Sequence, residues 1–393
     1  MSEPAAQHEV TYFCPVPDTR PAGTPEPPVV IQQTRAIQYI HRRRVVVVSR
    51  QRPRQSFAHP TQGHRTNLNN PRHGVSTPKA VCAGRFALDD EPAYRRWRGE
   101  KLARYPGRAE DLIVEVRDPH NLSAGETQRI RHNCRIANMA IYASPFPGVA
   151  DKGLPRAIGE QLGLTRLDAN PLADEDGISS LEVTSVKSDR GYTPYSNQRL
   201  LWHTDGYYNP GERRIRAFIL HCVRPAADGG ANRLFDPDIA YILLRDADPG
   251  HIRAFLAADA MTIPANAGDG APLRPAQSGP VFTVDAADGS LHMRYTARTR
   301  SIAWRPDEST RAAVRCLEQL LGGDSPFVLT HRLNAGQGLV CNNVLHDRTA
   351  FTDGVANEPG RLVYRARYHD RVAGTASASE NIGVFLAAKG LTP

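Results

Sequence analysis

Cysteine is scarce in this sequence, and its few copies are widely separated. The chain has six cysteines in 393 residues and no C-x-x-C pair, which argues against a zinc knuckle and against a disulfide framework. They are Cys14, Cys82, Cys134, Cys222, Cys316 and Cys341. We therefore expect reduced thiols, the usual state in the cytoplasm.

Long apolar runs are also missing. The longest conspicuous apolar block is Val45–Val48, whereas a transmembrane helix needs roughly 20 apolar residues. Residues 1–30 contain prolines and acidic residues in place of the apolar core of a signal peptide. These absences predict a cytoplasmic protein, and the 40% hydrophobic content is enough to fill one large or two modest cores.

Most of the net positive charge lies at the start of the chain. Residues 1–80 contain 11 Lys and Arg against 4 Asp and Glu, a net of +7 out of the chain's +8. This stretch is rich in Pro, Gln and His, and it shows neither helical nor strand periodicity. We predict a disordered basic extension over 1–80, without a catalytic role, and a single folded domain over 81–393.

Two distant motifs offer three metal ligands. Trp202-His203-Thr204-Asp205-Gly206 is followed 143 positions later by His346, at the end of Asn343-Val344-Leu345-His346. On a strand, positions i and i+2 point to the same face, so His203 and Asp205 can hold one ion. Two imidazoles and one carboxylate suit ferrous iron and leave coordination positions for substrate and O2. The pattern predicts a catalytic iron site.

The folded part alternates between helix signals and short strand signals. Helices are predicted after Asp90 through Leu102, from the capping box Ser123–Glu126 to Met139, and over Ser309–Leu321. Strands are predicted at Leu112–Val116, Leu181–Val186, Leu200–His203, Ile215–Cys222, Leu291–Tyr295, Phe327–Leu329, Gly338–Asn342 and Leu362–Tyr368. Ligands on separate strands favour a mainly β protein with flanking helices, a double-stranded β-helix or jelly roll. The Ala-, Gly-, Pro- and Asp-rich stretch 236–290 is predicted to be a lid insertion.

The second motif continues in a pattern that resembles a known family. Asn343-Val344-Leu345-His346-Asp347-Arg348-Thr349-Ala350-Phe351 is followed by Arg361-Leu362-Val363-Tyr364-Arg365. By order and spacing, roughly residues 83–375 resemble the taurine dioxygenase and 2,4-dichlorophenoxyacetate dioxygenase (TauD/TfdA) family, including its γ-butyrobetaine hydroxylase branch. These are iron(II)- and 2-oxoglutarate-dependent oxygenases, and the resemblance implies a jelly roll of the clavaminate synthase type.

The resemblance assigns roles to particular residues. It implies that His203, Asp205 and His346 bind Fe(II) and that Arg361 binds 2-oxoglutarate, since a guanidinium fork can hold a carboxylate through two hydrogen bonds. Arg365 is a second candidate for the cosubstrate or for an anionic substrate. Asn232 takes the place of the family's threonine or serine after a Gly-Gly pair and is a further cosubstrate candidate.

The reaction implied is hydroxylation of an unactivated C–H bond of a small, charged metabolite, with 2-oxoglutarate and O2 consumed and succinate and CO2 released. Tyr207 and Tyr208 directly follow the ligand pair and are the candidate substrate contacts. Family members also form homodimers or homotetramers, so an oligomer is expected. The substrate and the exact oxidative outcome stay open at this stage.

Two other functions are compatible with parts of the sequence. A cupin-like metal-binding jelly roll, acting as a sensor or a store, would need the ligands but not Arg361. A nucleic-acid-directed oxygenase would use the basic N-terminal arm, but the near-neutral remainder of the chain argues against phosphate tracking around the pocket. Four other histidines lack ligand spacing and are expected in the core or on the surface: His221, His292, His331 and His369.

Overall fold

The computed structural model of the chain describes residues 84–168, 174, 176–183, 193–267, 272–354 and 359–376. The predicted basic extension 1–80 and the second half of the predicted strand Leu181–Val186 lie outside the described residues. None of the described helices is both long enough and apolar enough to cross a membrane.

The described residues form helices and many short strands. The α-helices are α1 (Glu91–Arg104), α2 (Ala124–Ala137), α3 (Gly153–Gln161), α4 (Pro237–Ala247), α5 (Pro249–Phe255) and α6 (Glu308–Gly322). The strands are β1 (Ile113–Glu115), β2 (Met139–Ala143), β3 (Ser179–Leu181), β4 (Leu200–His203), β5 (Ala217–Arg224), β6 (Asp228–Gly229), β7 (Asn232–Phe235), β8 (Met261–Ile263), β9 (Asn266–Ala267), β10 (Pro272–Arg274), β11 (Gln277–Gly279), β12 (Phe282–Val284), β13 (Leu291–Met293), β14 (Ala303–Trp304), β15 (Val328–His331), β16 (Gln337–Cys341), β17 (Leu345–Arg348), β18 (Phe351–Thr352) and β19 (Leu362–Tyr368).

The helix starts follow the capping residues that the sequence offers. The Asp90 side chain accepts a hydrogen bond from the Ala93 N–H at 3.1 Å and begins α1. Ser123 and Glu126 form the predicted capping box of α2. The predicted extension of α2 to Met139 is wrong, because Asn138 adopts the left-handed conformation (φ 56°) and Met139 begins β2.

Two sheets enclose the central core. The larger has the order β1-β2-β16-β5-β19-β3, and the smaller has the order β15-β7-β17-β4. Leu220 of β5 packs with Leu234 of β7 and thus joins the two sheets in one hydrophobic cluster. Ile219, on the opposite face of β5, packs with Ile130 of α2, so helices cover the outer face of the larger sheet. This is the mainly β double-stranded β-helix with flanking helices that the sequence predicts.

The chain changes sheets just before His346. β16 lies in the larger sheet and β17 in the smaller one, and only residues 342–344 connect them. Asn343 has a positive φ of 53° there, a conformation that asparagine tolerates better than most residues. The turn therefore carries the chain from β16 of the larger sheet to β17 of the smaller one, where His346 lies.

The predicted lid segment 236–290 begins as core. α4 and α5 bury Ile239, Tyr241 and Phe255 completely in a second hydrophobic cluster that also includes residues of α6. After α5 the segment forms the short strands β8 to β12. A lid role for the part that follows α5 stays a prediction.

His221 predicts a pH dependence of stability. It is fully buried on the outer face of β5, where Nδ1 lies 2.9 Å from the Tyr142 hydroxyl, and burial lowers its pKa to about 4. Because the folded pKa is below the unfolded value of about 6.5, stability is lost as the pH falls from about 6.5 towards 4. When the pH falls from 7.5 to 5.5, the unfolding free energy of the parent should decrease by roughly 1 kcal/mol more than that of His221→Gln. Urea denaturation without metal measures both. His331→Gln, on a different strand, is the control, and equal losses in parent and His221→Gln would contradict the prediction.

Candidate active site

His203 and His346 face each other across a strand pair. His203 ends β4, His346 lies in β17, and the two are register partners with ring centroids 4.2 Å apart. Asp205 follows in the turn after β4. One potential ligand atom from each of the three side chains lies within 4.8 Å of the others, and all three residues are buried. The structure thus brings the predicted triad together.

Backbone carbonyls fix which nitrogen of each imidazole is free. Nδ1 of His203 is 2.8 Å from the carbonyl oxygen of Leu201, and Nδ1 of His346 is 3.0 Å from that of Val344. Since a carbonyl only accepts, each Nδ1 carries the hydrogen and donates it. Each Nε2 of the neutral rings therefore keeps its lone pair for a metal, the orientation commonly found for metal-binding histidines.

The protonation states suit a divalent cation. Burial, together with the neighbouring His346, lowers the pKa of His203 to about 3, and burial also lowers the pKa of His346. Burial acts to raise the pKa of Asp205, but Arg365 and Arg367 outweigh it and hold that pKa below its ordinary value. At neutral pH the site therefore offers two neutral imidazoles and one carboxylate without prior loss of protons.

The Oδ2 atom of Asp205 is buried and has no hydrogen-bond partner among the described residues. Buried polar atoms are nearly always paired. Oδ1 lies 3.3 Å from Nη1 of Arg365. A metal ion would satisfy Oδ2, and a set of two nitrogens and one carboxylate oxygen fits ferrous iron.

Arg361 is a buried cation without a carboxylate. It lies immediately before β19, is 6% exposed, and forms no ion pair with any carboxylate of the described residues within 4.0 Å. Its guanidinium carbon is 5.2 Å from the centre of the Phe351 ring. Burial lowers the pKa of Arg361, so a bound anion would be strongly favoured beside it.

Asn232 lines the same small pocket as Arg361 and Gly230. Its Nδ2 donates to the Asp347 carbonyl at 3.2 Å, which leaves a second N–H for a ligand. Gly229 at the pocket has φ 71°, and a Cβ there would lie 2.2 Å from the Ala350 carbonyl oxygen, so the turn requires glycine. Two of the predicted cosubstrate residues thus share one pocket.

Arg365 lies elsewhere. Its Nη1 is 3.3 Å from Asp205 Oδ1, and it does not line the pocket of Arg361. Arg361 and Arg365 are four positions apart, which is about 13 Å along an extended chain at 3.3 Å per residue. The two cations on this face therefore meet different neighbours. The placement associates Arg365 with the Asp205 carboxylate and not with the pocket of Arg361.

Tyr207 and Tyr208 are half-buried, with their rings in edge contact at 5.2 Å. The Tyr208 hydroxyl accepts a hydrogen bond from Nη1 of Arg367 at 2.9 Å. Arg367 is buried and also pairs with the buried carboxylate of Asp168. The guanidinium carbon of Arg274, on β10, lies 5.7 Å from the centre of the Tyr208 ring.

Arg274 and Arg367 were not predicted from the sequence. The strand alternation that groups Arg361 with Arg365 also includes Arg367, so that signal was available. Arg274 had no comparable signal, because only the fold of the segment after α5 places it beside Tyr208.

Comparisons with known proteins relate the chain to a family of dioxygenases. The model of the family described as "Taurine catabolism dioxygenase TauD, TfdA family" matches residues 149–367, more than half of the chain. A uridine-5'-phosphate dioxygenase from Amycolatopsis sp is 33% identical over 241 residues, which cover 56% of this chain and 80% of the relative. One from Streptomyces sp is 31% identical over 172 residues, which cover 39% and 56%. A crystal structure of the non-heme iron oxygenase OrfP with Fe, succinate and (3S)-hydroxy-L-Arg has a TM-score of 0.47 at 16% identity, covering 63% of this chain and 81% of that one.

The buried charge of Arg361 predicts that this residue contributes to 2-oxoglutarate binding. We expect Arg361→Gln to weaken 2-oxoglutarate binding roughly 10- to 100-fold, because a charge-assisted hydrogen-bond pair is lost, while metal binding stays unchanged. Anaerobic calorimetric titration of the Fe(II)-loaded protein measures both. The control is Arg224→Gln, since Arg224 on β5 donates to the Gly360 carbonyl. Equal weakening by both changes would count against the assignment of Arg361.

Proposed function

The chain belongs to the TauD/TfdA family of dioxygenases, and from this premise we propose that it hydroxylates a nucleoside 5'-phosphate such as uridine-5'-phosphate. The protein is an Fe(II)- and 2-oxoglutarate-dependent dioxygenase that consumes O2. The observation that carries the iron-dependent chemistry is the buried Oδ2 of Asp205, which lacks a hydrogen-bond partner among the described residues and lies near the two free Nε2 atoms. The substrate class is supported by the names of the two uridine-5'-phosphate dioxygenases that resemble the chain.

The protein's residues divide the task. His203, Asp205 and His346 would hold Fe(II) through two imidazole nitrogens and one carboxylate oxygen, a donor set that suits this ion. Bound Fe(II) supplies the O2 chemistry that couples decarboxylation of 2-oxoglutarate to C–H hydroxylation. Arg361 would bind a carboxylate of 2-oxoglutarate, and the second N–H of Asn232 would assist it. Burial of these groups strengthens each charge interaction and excludes water.

The guanidinium of Arg274 and the hydroxyl of Tyr208 suit the phosphate of the proposed substrate. Arg274 donates to the Pro264 and Pro275 carbonyls, at 2.8 and 3.2 Å, and forms no ion pair with a carboxylate of the described residues. The Tyr208 hydroxyl accepts from Arg367 and keeps its own hydrogen for donation. A phosphate dianion accepts from such donors. We therefore assign Arg274 and Tyr208 to the substrate side of the site, and Arg274 gives the predicted lid a substrate contact.

The two alternatives from the sequence fare differently. A non-catalytic metal-binding jelly roll does not account for membership in a dioxygenase family, or for the buried charge of Arg361, which has no carboxylate partner in the described part of the chain. Nucleic-acid-directed oxidation depends on the basic extension 1–80, which lies outside the described residues. The small-molecule hydroxylase is therefore the function that we propose.

We also propose a cytoplasmic location. Three cysteines of the described residues, Cys134, Cys222 and Cys341, are buried free thiols, as expected in a reducing compartment. An oligomeric enzyme stays a prediction from the resemblance.

Anaerobic titration tests the proposed chemistry. We expect Fe(II) followed by 2-oxoglutarate to produce a weak visible charge-transfer band, absent in His346→Ala. On admission of O2, uridine-5'-phosphate should stimulate succinate formation well above the rate without it, and unphosphorylated uridine should stimulate less. Bound metal without the band would sink the oxygenase mechanism. A band with no stimulation by any nucleoside phosphate would reject the substrate class alone.

Arg274 tests the proposed phosphate contact. We expect Arg274→Ala to raise the KM for uridine-5'-phosphate roughly tenfold, since one charge-assisted contact is lost, and to leave the KM for 2-oxoglutarate unchanged. Steady-state succinate assays provide both constants. Arg311→Ala is the matched control, because Arg311 is an exposed residue of α6 that pairs with Glu308. An unchanged KM for the nucleotide would remove Arg274 from the substrate site.

A further inference from the structure

The side chain of Asn343 holds the backbone of a metal ligand. Asn343 is 1% exposed, with φ 53°, in the turn between β16 and β17. Its Oδ1 accepts from the Asp205 N–H at 2.8 Å, and its Nδ2 donates to the Asp205 carbonyl at 3.0 Å. Nδ2 also donates to the Ile215 carbonyl at 2.7 Å. One amide thus makes three hydrogen bonds, two of them to Asp205.

These bonds replace the sheet pairing that Asp205 lacks. Asp205 lies beyond the end of β4, where no neighbouring strand of the described residues fixes its backbone. Its side chain has one hydrogen bond, from Arg365. The Asn343 amide binds both the N–H and the carbonyl of Asp205, as a paired strand residue would. Asn343 therefore holds the Asp205 backbone from which the carboxylate projects.

The same residue also lies on the path to His346. Asn343 is three residues before His346 and carries the positive φ of the turn that transfers the chain to the smaller sheet. The Val344 carbonyl, which orients the His346 ring, immediately follows it. Asn343 is therefore a direct physical connection between two ligands that lie 141 positions apart in the sequence.

We propose that Asn343 is a positioning residue that fixes the spacing of Asp205 and His346 before metal binds, and thereby sets the affinity for the divalent metal. A preformed site avoids the ordering cost that a loose site bears on each binding event. The inference rests on the proposed metal site but not on the proposed substrate.

The neighbouring Asn342 separates this role from simple support of the turn. It is buried too, and its Nδ2 donates to the Asn138 and Thr375 oxygens, both at 3.2 Å. It makes no hydrogen bond to the three ligands. A change at Asn342 therefore disturbs the same turn and leaves the contacts to Asp205 in place.

Metal affinity of the apoprotein for Co(II), measured by anaerobic competition titration, tests the proposal. Asn343→Gly keeps the positive φ and removes the amide, so we expect its dissociation constant to rise roughly 10- to 100-fold, the effect typical of groups that orient ligands. Asn342→Ala should lower the thermal midpoint but keep Co(II) affinity within about twofold of the parent. Titration well below both thermal midpoints separates affinity from unfolding.

A second variant covers the case in which Asn343→Gly does not fold. Asn343→Asp is isosteric, loses both N–H donors and adds a negative charge that by itself would tighten Co(II) binding. The proposal expects weaker binding despite that charge. Parent-like or tighter binding by the position 343 variants, or equal weakening by Asn342→Ala, would overturn the role of Asn343. Failure of the parent itself to bind Co(II) would overturn the proposed metal site as well.

Discussion

The antiparallel pairing of β4 with β17 is the contact on which the site depends. It places His203 directly opposite His346, and both rings then use Nδ1 to reach a carbonyl two residues back in their own chain. Because side chains alternate along a strand, a shift of one residue in this register would turn His346 to the other face of the sheet. The metal site therefore exists only in one pairing of two distant segments.

Charge in the site is arranged along one face of β19. Arg361, Arg365 and Arg367 alternate with outward residues, so they share that face but are spread over about 20 Å of strand. Arg361 faces a pocket of its own, Arg365 contacts Asp205, and Arg367 pairs with Asp168. Arg365 and Arg367 are thus paired with carboxylates, whereas Arg361 has no carboxylate partner among the described residues.

The residues of the site come from the two packed sheets and from the short strands that follow α5. Helices α2 and α3 cover the outer face of the larger sheet, while α4, α5 and α6 share a second core. The short strands after α5 add Arg274, whose guanidinium carbon lies 5.7 Å from the centre of the Tyr208 ring. His203 and His346 lie on paired strands of the smaller sheet, Asp205 lies in the turn after β4, and the proposed substrate contact Arg274 lies on the separate strand β10.

The sequence by itself determined the residue types of the site and fewer than half of the described helices and strands, and β17, which carries His346, is among the elements that it did not predict. The H-x-D spacing and the downstream motif identify the triad and Arg361, and β4 and β19 have the predicted bounds because strong apolar runs with clear ends are local signals. Only the tertiary structure decided where each arginine acts. Alternation along a strand shows that Arg361 and Arg365 share a face, but it cannot show which neighbours that face meets. The position of Arg274 beside Tyr208 and the hydrogen bonds from Asn343 to Asp205 join segments that are far apart in the sequence. A local sequence pattern does not predict such contacts.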